Sequence, residues 1–305
     1  MTPKFTPLIS SLPLVHQGKV RDIYQINDSH LLMVATDRIS AYDLVFPTPI
    51  QQKGKIITSI SNFWFNQTKD IIKNHLVSEV NYETLLSDLE LKEVKEQSIV
   101  IKKCVPLPYE FIVRRYLLGS AFDQYKATGF IDNYQLPANL YKGYKLPNLL
   151  FTVTTKETEG HDLPLAFTDL EKQLGTFLSQ QIRDVSLALF SKMSTLAESK
   201  KLVLVDTKFE FGFDGNDLVL IDEVGTPDSS RYWFIEDKEG YVKRIPSHLD
   251  KQIFRNYLID ISWDKKSPIL IPTYIQKIIR SRYKTVRNML YDIDYIPDYA
   301  FDPNV

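Results

Sequence analysis

A single cysteine, Cys104, is the only thiol in a chain of 305 residues, which excludes an internal disulfide and fits a reducing compartment. No Cys/His cluster has the spacing of a zinc site, and no Gly-x-Ser-x-Gly segment occurs. Structural zinc and covalent serine or cysteine catalysis therefore have no support. No apolar run reaches the roughly 18–20 residues that a membrane-crossing helix needs. The N-terminus, MTPKFTPLISSLPLV, is interrupted by Pro3, Pro7 and Pro13 and lacks the continuous apolar stretch of a secretory signal. It reads as an extended arm. Neither charge sign dominates: 37 Lys and Arg face 38 Asp and Glu, so no global field points to nucleic acid or a membrane surface. Repeats and low-complexity tracts are also missing. The expectation is a soluble cytoplasmic protein with no nucleic-acid, membrane or obligatory protein partner.

What the chain does have is aromatic area for a core, 17 Tyr and 17 Phe, and length for roughly two domains. The first third alternates strand-like pieces with polar turns: KVRDIYQI and LLMVAT flank NDSH, and SIVIKKCV follows. FIVRRYLLG reads as a strand and SAFDQYKATG as a helix with Ser120 as N-cap and Gly129 at its C-terminus. Tyr134 to Pro164 reads as irregular loop. FTDLEKQL onward has the spacing of two helices, and the end, from Ser247, is helical again. Strands first, a mixture, then helices point to an α+β fold rather than a doubly wound sheet.

The segment LVLVDTKFEFG carries the main question. By parity Val203, Val205, Thr207, Phe209 and Phe211 fall on one face, and Asp206, Lys208 and Glu210 on the other. DGND then marks a turn into LVLIDEVGTPDSSRYW. A three-residue loop, Asp214–Asn216, would pair Phe213 with Asp217 and set Asp222 opposite Lys208; an even loop would turn Asp222 away. In the odd register Glu210 and Asp222 offer hard oxygens suited to magnesium, with Lys208 between them for a phosphate. A solvated ladder of alternating charge would produce the same pattern.

Further segments add to this. Asp228, Ser229, Ser230 and Arg231 concentrate hydroxyls, backbone N–H groups and an arginine in one turn, as an anion requires; a turn capped by a salt bridge is the plainer alternative. HQGKVRDIY puts Lys19 and Arg21 on one strand face behind Gly18, able to lie over a triphosphate, though an ordinary hairpin corner reads alike. Asp37 and Ser40 follow an apolar strand, a usual place for a site. Glu110, Ile112 and Arg114 share a face opposite Phe111, Val113 and Arg115, so one arginine is buried or lines a cleft. Gly119-Ser120 at a helix start can hold an anion.

GKVRDIY, ATDRISAYD, EFIVRRYLLGSAF, TTKETEGHD, VDTKFEFG, DEVGTPDSSRYW and DKQIFRNYL, in this order from Gly18 to Leu258, resemble the SAICAR synthetase (phosphoribosylaminoimidazole-succinocarboxamide synthase) family of purine biosynthesis. DTKFEFG and DEV-TPDSSR are the most specific. The departures are Val153 where proline is expected, Gly225 where leucine is expected, and about one residue fewer between Lys156 and His161.

The resemblance implies a cytoplasmic ATP- and Mg²⁺-dependent ligase. It would join L-aspartate to carboxyaminoimidazole ribonucleotide (CAIR), with an acyl phosphate on the way. It also implies two α+β parts, similar to ATP-grasp and kinase architectures, with ATP between them. The expected division is residues 1–104 as the nucleotide-binding part, 105–245 as the central part with the metal and substrate site, and 246–305 as a C-terminal helical segment. Gly18, Lys19, Val20 and Arg21 would cover the phosphates; Lys102, Lys103, Cys104 and Val105 would border the adenine. Lys208, Glu210 and Asp222 would be the catalytic and metal-binding group. Asp37, Ser40, Arg114, Ser120, Asp228, Ser229, Ser230 and Arg231 would bind substrate. A small-molecule kinase using the same cleft is the alternative. A non-enzymatic nucleotide- or RNA-binding protein, for which the basic KIIRSRYKTVR is the best feature, is a third reading.

Overall fold

Residues 8–156, 162–238 and 241–294 are described in the computed structural model of this chain. Arg21–Gln25 and His30–Ala35 pair antiparallel across the NDSH turn. Leu14–Gln17 and Ser98–Lys102 flank them to complete a four-stranded sheet. Tyr24, Leu32, Val34 and Val100 of this sheet bury themselves with Leu86 and Val94 in a small core. Glu90, in a capping box with Ser87, also accepts the backbone N–H groups of Ser10 and Ser11 at 2.6 and 3.0 Å, fastening the N-terminal arm.

The second sheet is larger. Pro164–Leu165, Lys145–Thr155, Tyr109–Tyr116, Leu202–Asp214, Ser230–Lys238 and Tyr241–His248 follow one another across it. Asp217–Ile221 and Val105–Pro106 pair with the C-terminal half of Leu202–Asp214. Against its covered face lie the helices Lys53–Thr68, Thr176–Ser199 and Thr273–Leu290, which bring Trp64, Phe65, Phe190, Met193, Tyr283 and Val286 onto Phe111, Phe209 and Phe211 in the main core.

Several sequence expectations change here. Tyr134 to Pro164 is not one irregular loop, because it contains the eleven-residue strand Lys145–Thr155. Pro147 and a register break between Lys145 and Leu150 disguise it; regular pairing begins at Leu150. Ser120 is the first helical residue of Ser120–Thr128 rather than its cap, which is Gly119. Gly129 does close the helix, left-handed at φ 78°. The parity of Leu202–Asp214 fails at Val205, where pairing with Ser230–Lys238 slips between Leu204 and Asp206. Consequently Leu202 and Leu204 share the main core with Phe209 and Phe211, while Val203 and Val205 pack with Tyr116, Leu118 and Trp233 on the other side. The helix Lys53–Thr68 is one that the sequence reading had not singled out. The end is not helical from Ser247, because the strand Tyr241–His248 runs through that position; helices follow at Gln252–Asp260 and Thr273–Leu290, and in the basic segment of the latter Arg282, Tyr283 and Thr285 are buried.

A seam joins the two sheets. Lys102 N–H donates to His75 O at 2.8 Å, and His75 N–H donates to Leu220 O at 3.2 Å. Residues 73–77 thereby stitch the edge of the small sheet to the Asp217–Ile221 hairpin strand, on the side where the charged residues gather.

Candidate active site

Most of the candidate residues stand on or beside Leu202–Asp214. Its hairpin loop is Gly215–Asn216, with Asp214 paired to Asp217, Phe213 to Leu218 and Glu210 to Ile221. The three-residue loop is not formed. Strict alternation would now place Asp222 opposite Phe209, facing the core. Pairing stops at Ile221, and Asp222 takes a left-handed backbone at φ 62°, a region aspartate tolerates better than most residues. Its carboxylate is thereby turned back, with Oδ2 3.9 Å from Lys208 Nζ.

Lys208 is the centre of the group. Its Nζ lies 2.7 Å from Glu110 Oε1 and 2.6 Å from Glu210 Oε1. Lys156 Nζ takes the other oxygen of Glu210 at 2.5 Å. Burial works against the Lys208 charge, but Glu210, Glu110 and Asp222 outweigh it and hold its pKa well above the usual lysine value. Burial raises the Glu110 carboxyl, with Lys208 opposing. Cations and acids are thus interleaved and largely withdrawn from water, where each charge acts more strongly.

The glycine hairpin is tied down by Arg38. Arg38 donates to Gly18 O at 2.9 Å and Lys19 O at 3.2 Å, and grips buried Asp22 through both terminal nitrogens at 3.0 and 2.7 Å. Arg21 points inward, with Nη1 3.2 Å from Asp222 and Nη2 against Glu223. Lys19 does not share that direction; it is half exposed and pairs with Asp43 at 2.5 Å. Val20 O accepts Thr36 N–H and Oγ1, tying the hairpin to the strand end before Asp37.

Further along the strand is a second cationic group. Asp206 is buried and takes Arg231 Nη1 at 2.5 Å and Arg114 Nη1 at 3.5 Å, so two guanidinium groups share one carboxylate. Burial disfavours the Arg114 charge, Asp206 supports it, and Arg231 opposes it. Arg231 also lies directly on Gly119, where a Cβ would come 2.4 Å from its Nη2. The arginine therefore abuts the N-terminus of Ser120–Thr128, whose first N–H groups and dipole favour an anion.

Other sequence candidates are placed differently. Asp228 is turned inward, with Oδ2 2.5 Å from fully buried Lys53 and Oδ1 accepting Tyr283 Oη at 2.7 Å, so both oxygens are engaged. Ser230 is buried against Thr207 Oγ1 at 2.6 Å, and Ser229 O accepts Lys208 N–H at 3.2 Å. Asp37 caps the helix Lys53–Thr68, accepting Gln52 N–H at 3.0 Å and Gly54 N–H at 2.9 Å. Ser40 is partly exposed and pairs with Val45 in a short hairpin. Lys102 turns to Asp214 at 2.5 Å, Lys103 N–H binds Ser29 O, Cys104 is half-buried, and Val105 is exposed beside Phe213. The Glu159–His161 segment lies outside the described residues.

Sequence reasoning passed over Glu110, Lys156, Asp206 and Glu223 as site residues. Period-2 parity held the signal for Glu110 and Asp206; nothing local marked Lys156 or Glu223 as facing this group. His75 was also missed. It is buried behind Asp222, and burial, reinforced by the Arg21 charge, pushes its imidazole down to about 3. Folded His75 stays neutral while the unfolded chain takes up a proton near 6.5, so the unfolded state gains protons first. Stability present at neutral pH should fall as pH drops from 6.5 towards about 3, by up to about 1.4 kcal/mol per unit. A His75→Gln variant should flatten that limb in denaturant unfolding; an unchanged slope would assign it to other groups.

A family model described as SAICAR synthetase matches residues 14–270. The chain belongs to the SAICAR synthetase family. It is 45% identical over 286 residues to the phosphoribosylaminoimidazole-succinocarboxamide synthase of Thermodesulfovibrio yellowstonii, covering 92% of this chain and 96% of the relative. The enzyme of the same name from Haemophilus influenzae strain PittEE is 40% identical, with 93% and 98% covered. Among solved structures, SAICAR synthase from Saccharomyces cerevisiae in complex with SAICAR superposes with a TM-score of 0.83 at 34% identity, covering 96% of this chain and 99% of that one. SAICAR synthetases are ATP-dependent ligases of purine biosynthesis, so the ligase reading of the sequence stands and the kinase alternative is not favoured. The fold is α+β as expected. No helix among the described residues is long and apolar enough to cross a membrane.

Proposed function

We propose that this chain uses ATP and magnesium to condense L-aspartate with CAIR, and that its nucleotide lies between the glycine hairpin and the Leu202–Asp214 strand. The small sheet, within residues 1–104, supplies the roof; the large sheet, which runs past the expected boundary at 245 to His248, supplies the floor; and the helices Gln252–Asp260 and Thr273–Leu290 pack on the main core. The observation carrying this reading is that one strand anchors both charged groups: its Asp206 gathers Arg114 and Arg231 from the strands on either side, and its Lys208 and Glu210 centre the other. Asp206, with Arg114 and Arg231, stands four residues from Glu210, roughly 14 Å at about 3.4 Å per residue. That suits a ribonucleotide whose phosphate meets the arginines and Ser120 while its base carboxylate reaches Lys208.

The donor set fits magnesium. Glu210 and Asp222 are hard carboxylates beside one lysine, and no larger acidic or His/Cys cluster occurs among the described residues. Magnesium commonly takes one or two protein carboxylates and completes its shell with water and phosphate oxygens. Glu210 and Asp222 would hold it, and it would supply positive charge against the ATP phosphates. Lys208, Lys156 and Arg21, which hold these acids, are in reach to exchange them for phosphate oxygens.

A carboxylate resists amine attack because resonance and charge both oppose it. The γ-phosphoryl group passes to a carboxylate oxygen of CAIR, releasing ADP and leaving an acyl phosphate. The aspartate amine then attacks the carbonyl carbon, the C–O bond to phosphate breaks, and the amine proton goes to solvent. No side-chain nucleophile is needed. All three reactants are anionic, and each unscreened like-charge pair at about 4 Å costs roughly 4 kcal/mol at an effective dielectric of 20. Lys208 and Arg21 oppose that cost at the triphosphate, Arg114 and Arg231 at the ribonucleotide.

ADP release with CAIR should require aspartate; turnover without it would overturn the ligase assignment. Arg231→Ala should raise KM for CAIR by about 10²-fold, the scale of a lost charge-assisted hydrogen bond, with a smaller change in kcat. An unchanged KM in steady-state kinetics would remove Arg231 from the phosphate site.

A further inference from the structure

We propose that Glu223 is a positioning residue that controls how readily Asp222 is released from Arg21 to a divalent cation. The inference rests on the metal reading of Asp222 given above. The Arg21 guanidinium has two acidic partners, Asp222 Oδ1 at 3.2 Å on Nη1 and Glu223 Oε2 on Nη2. The two acids are not equivalent. Glu223 is 7% exposed, receives Thr226 Oγ1 on the oxygen that faces Arg21, and stands on backbone anchored by Val224 N–H to Ser61 Oγ at 3.2 Å. Asp222 is 21% exposed, and its left-handed backbone presents the carboxylate towards Lys208.

Glu223 is therefore the fixed partner of Arg21 and Asp222 the open one. A cation arriving at Asp222 competes with Arg21 for Oδ1. Because Glu223 holds the guanidinium by its other nitrogen, Arg21 need not leave its place or lose its counter-charge when Asp222 turns to the metal. With a neutral residue at 223, Asp222 would be the nearest remaining acid for Arg21, and it would yield its oxygen less easily. Glu223 touches neither metal nor reactant in this arrangement. Its effect belongs on metal affinity and not on the chemical step.

The test is equilibrium Mn²⁺ binding to the full chain with ADP present, read from the electron paramagnetic signal of free Mn²⁺, alongside turnover at varied Mg²⁺. Glu223→Gln should raise the Mn²⁺ dissociation constant and the Mg²⁺ half-saturation about tenfold, with kcat at saturating Mg²⁺ within about twofold of wild type. Glu223→Asp, which keeps the charge but draws it back from Arg21, should shift both in the same direction and serves if the glutamine variant does not fold. In an Arg21→Met background the Glu223→Gln effect on Mn²⁺ should largely vanish; a full tenfold effect there would show Glu223 acting directly by its charge and overturn the positioning role. Wild-type Mn²⁺ affinity in Glu223→Gln overturns it as well. Asp222→Asn in the same titration separates the two layers. If it loses Mn²⁺ binding while Glu223→Gln does not, only this inference fails. If Asp222→Asn itself binds Mn²⁺ normally, the metal reading fails and takes this inference with it.

Discussion

Replacing Asp222 with asparagine should lower kcat by about a thousandfold or more while thermal unfolding shifts little. Loss of charge stabilisation at a reacting phosphoryl group is worth about 3–4 kcal/mol or more in the barrier. The fold has less at stake. Asparagine is nearly isosteric and tolerates the left-handed backbone at φ 62°. Arg21 keeps Glu223, and Lys208 keeps Glu110 and Glu210, so neither cation is left buried and alone. The stability change should stay within about 1 kcal/mol, as for a partly solvated ion pair. Retained turnover with a large loss of stability would contradict the role given to Asp222.

The largest expected loss of stability lies at Gly225, where the chain departs from the residue its resemblance leads one to expect. Gly225 is left-handed at φ 62°, and a Cβ there would come 2.3 Å from Trp64 Cδ1 and 2.7 Å from Met193 Cε. Trp64 is fully buried, its Nε1 donates to Tyr232 Oη at 3.0 Å, and Tyr232 donates in turn to Gly225 O at 2.6 Å. Gly225→Leu therefore meets a backbone penalty of about 1–2 kcal/mol and overpacking of about 1–3 kcal/mol or more in a close-packed core. A loss of about 2–5 kcal/mol is expected in urea unfolding, a large part of a typical domain's stability. A Trp64→Leu partner substitution should recover part of it in a double-mutant cycle. Additive losses would mean that Trp64 is not what excludes a side chain at 225.

How far the sequence reached can be followed along one strand. Alternation in LVLVDTKFEFG identified Asp206, Lys208 and Glu210 as co-facial, which they are, because pairing with Tyr109–Tyr116 is regular from Asp206 to Phe209. The same alternation misassigned Val203 and Val205, since a bulge resets parity and leaves no mark in residue type. Asp222 joins the face through a left-handed backbone and not through the loop length that parity assumed. Lys19 and Arg21 share a sequence period yet part company at the hairpin tip. Nor does residue type show that Asp37 accepts the Gly54 N–H at a helix start or that Asp228 pairs with buried Lys53.

By itself the sequence determined the class of fold, the family and the strand on which Asp206, Lys208 and Glu210 share a face, because periodicity and short motifs are local and survive without knowledge of contacts. Only tertiary structure decided which charges meet: Glu110 and Lys156 with Lys208 and Glu210, Glu223 with Arg21, and two arginines on Asp206. Coulomb interactions depend on distance in space, and Arg21 and Asp222, 201 residues apart along the chain, stand 3.2 Å from each other.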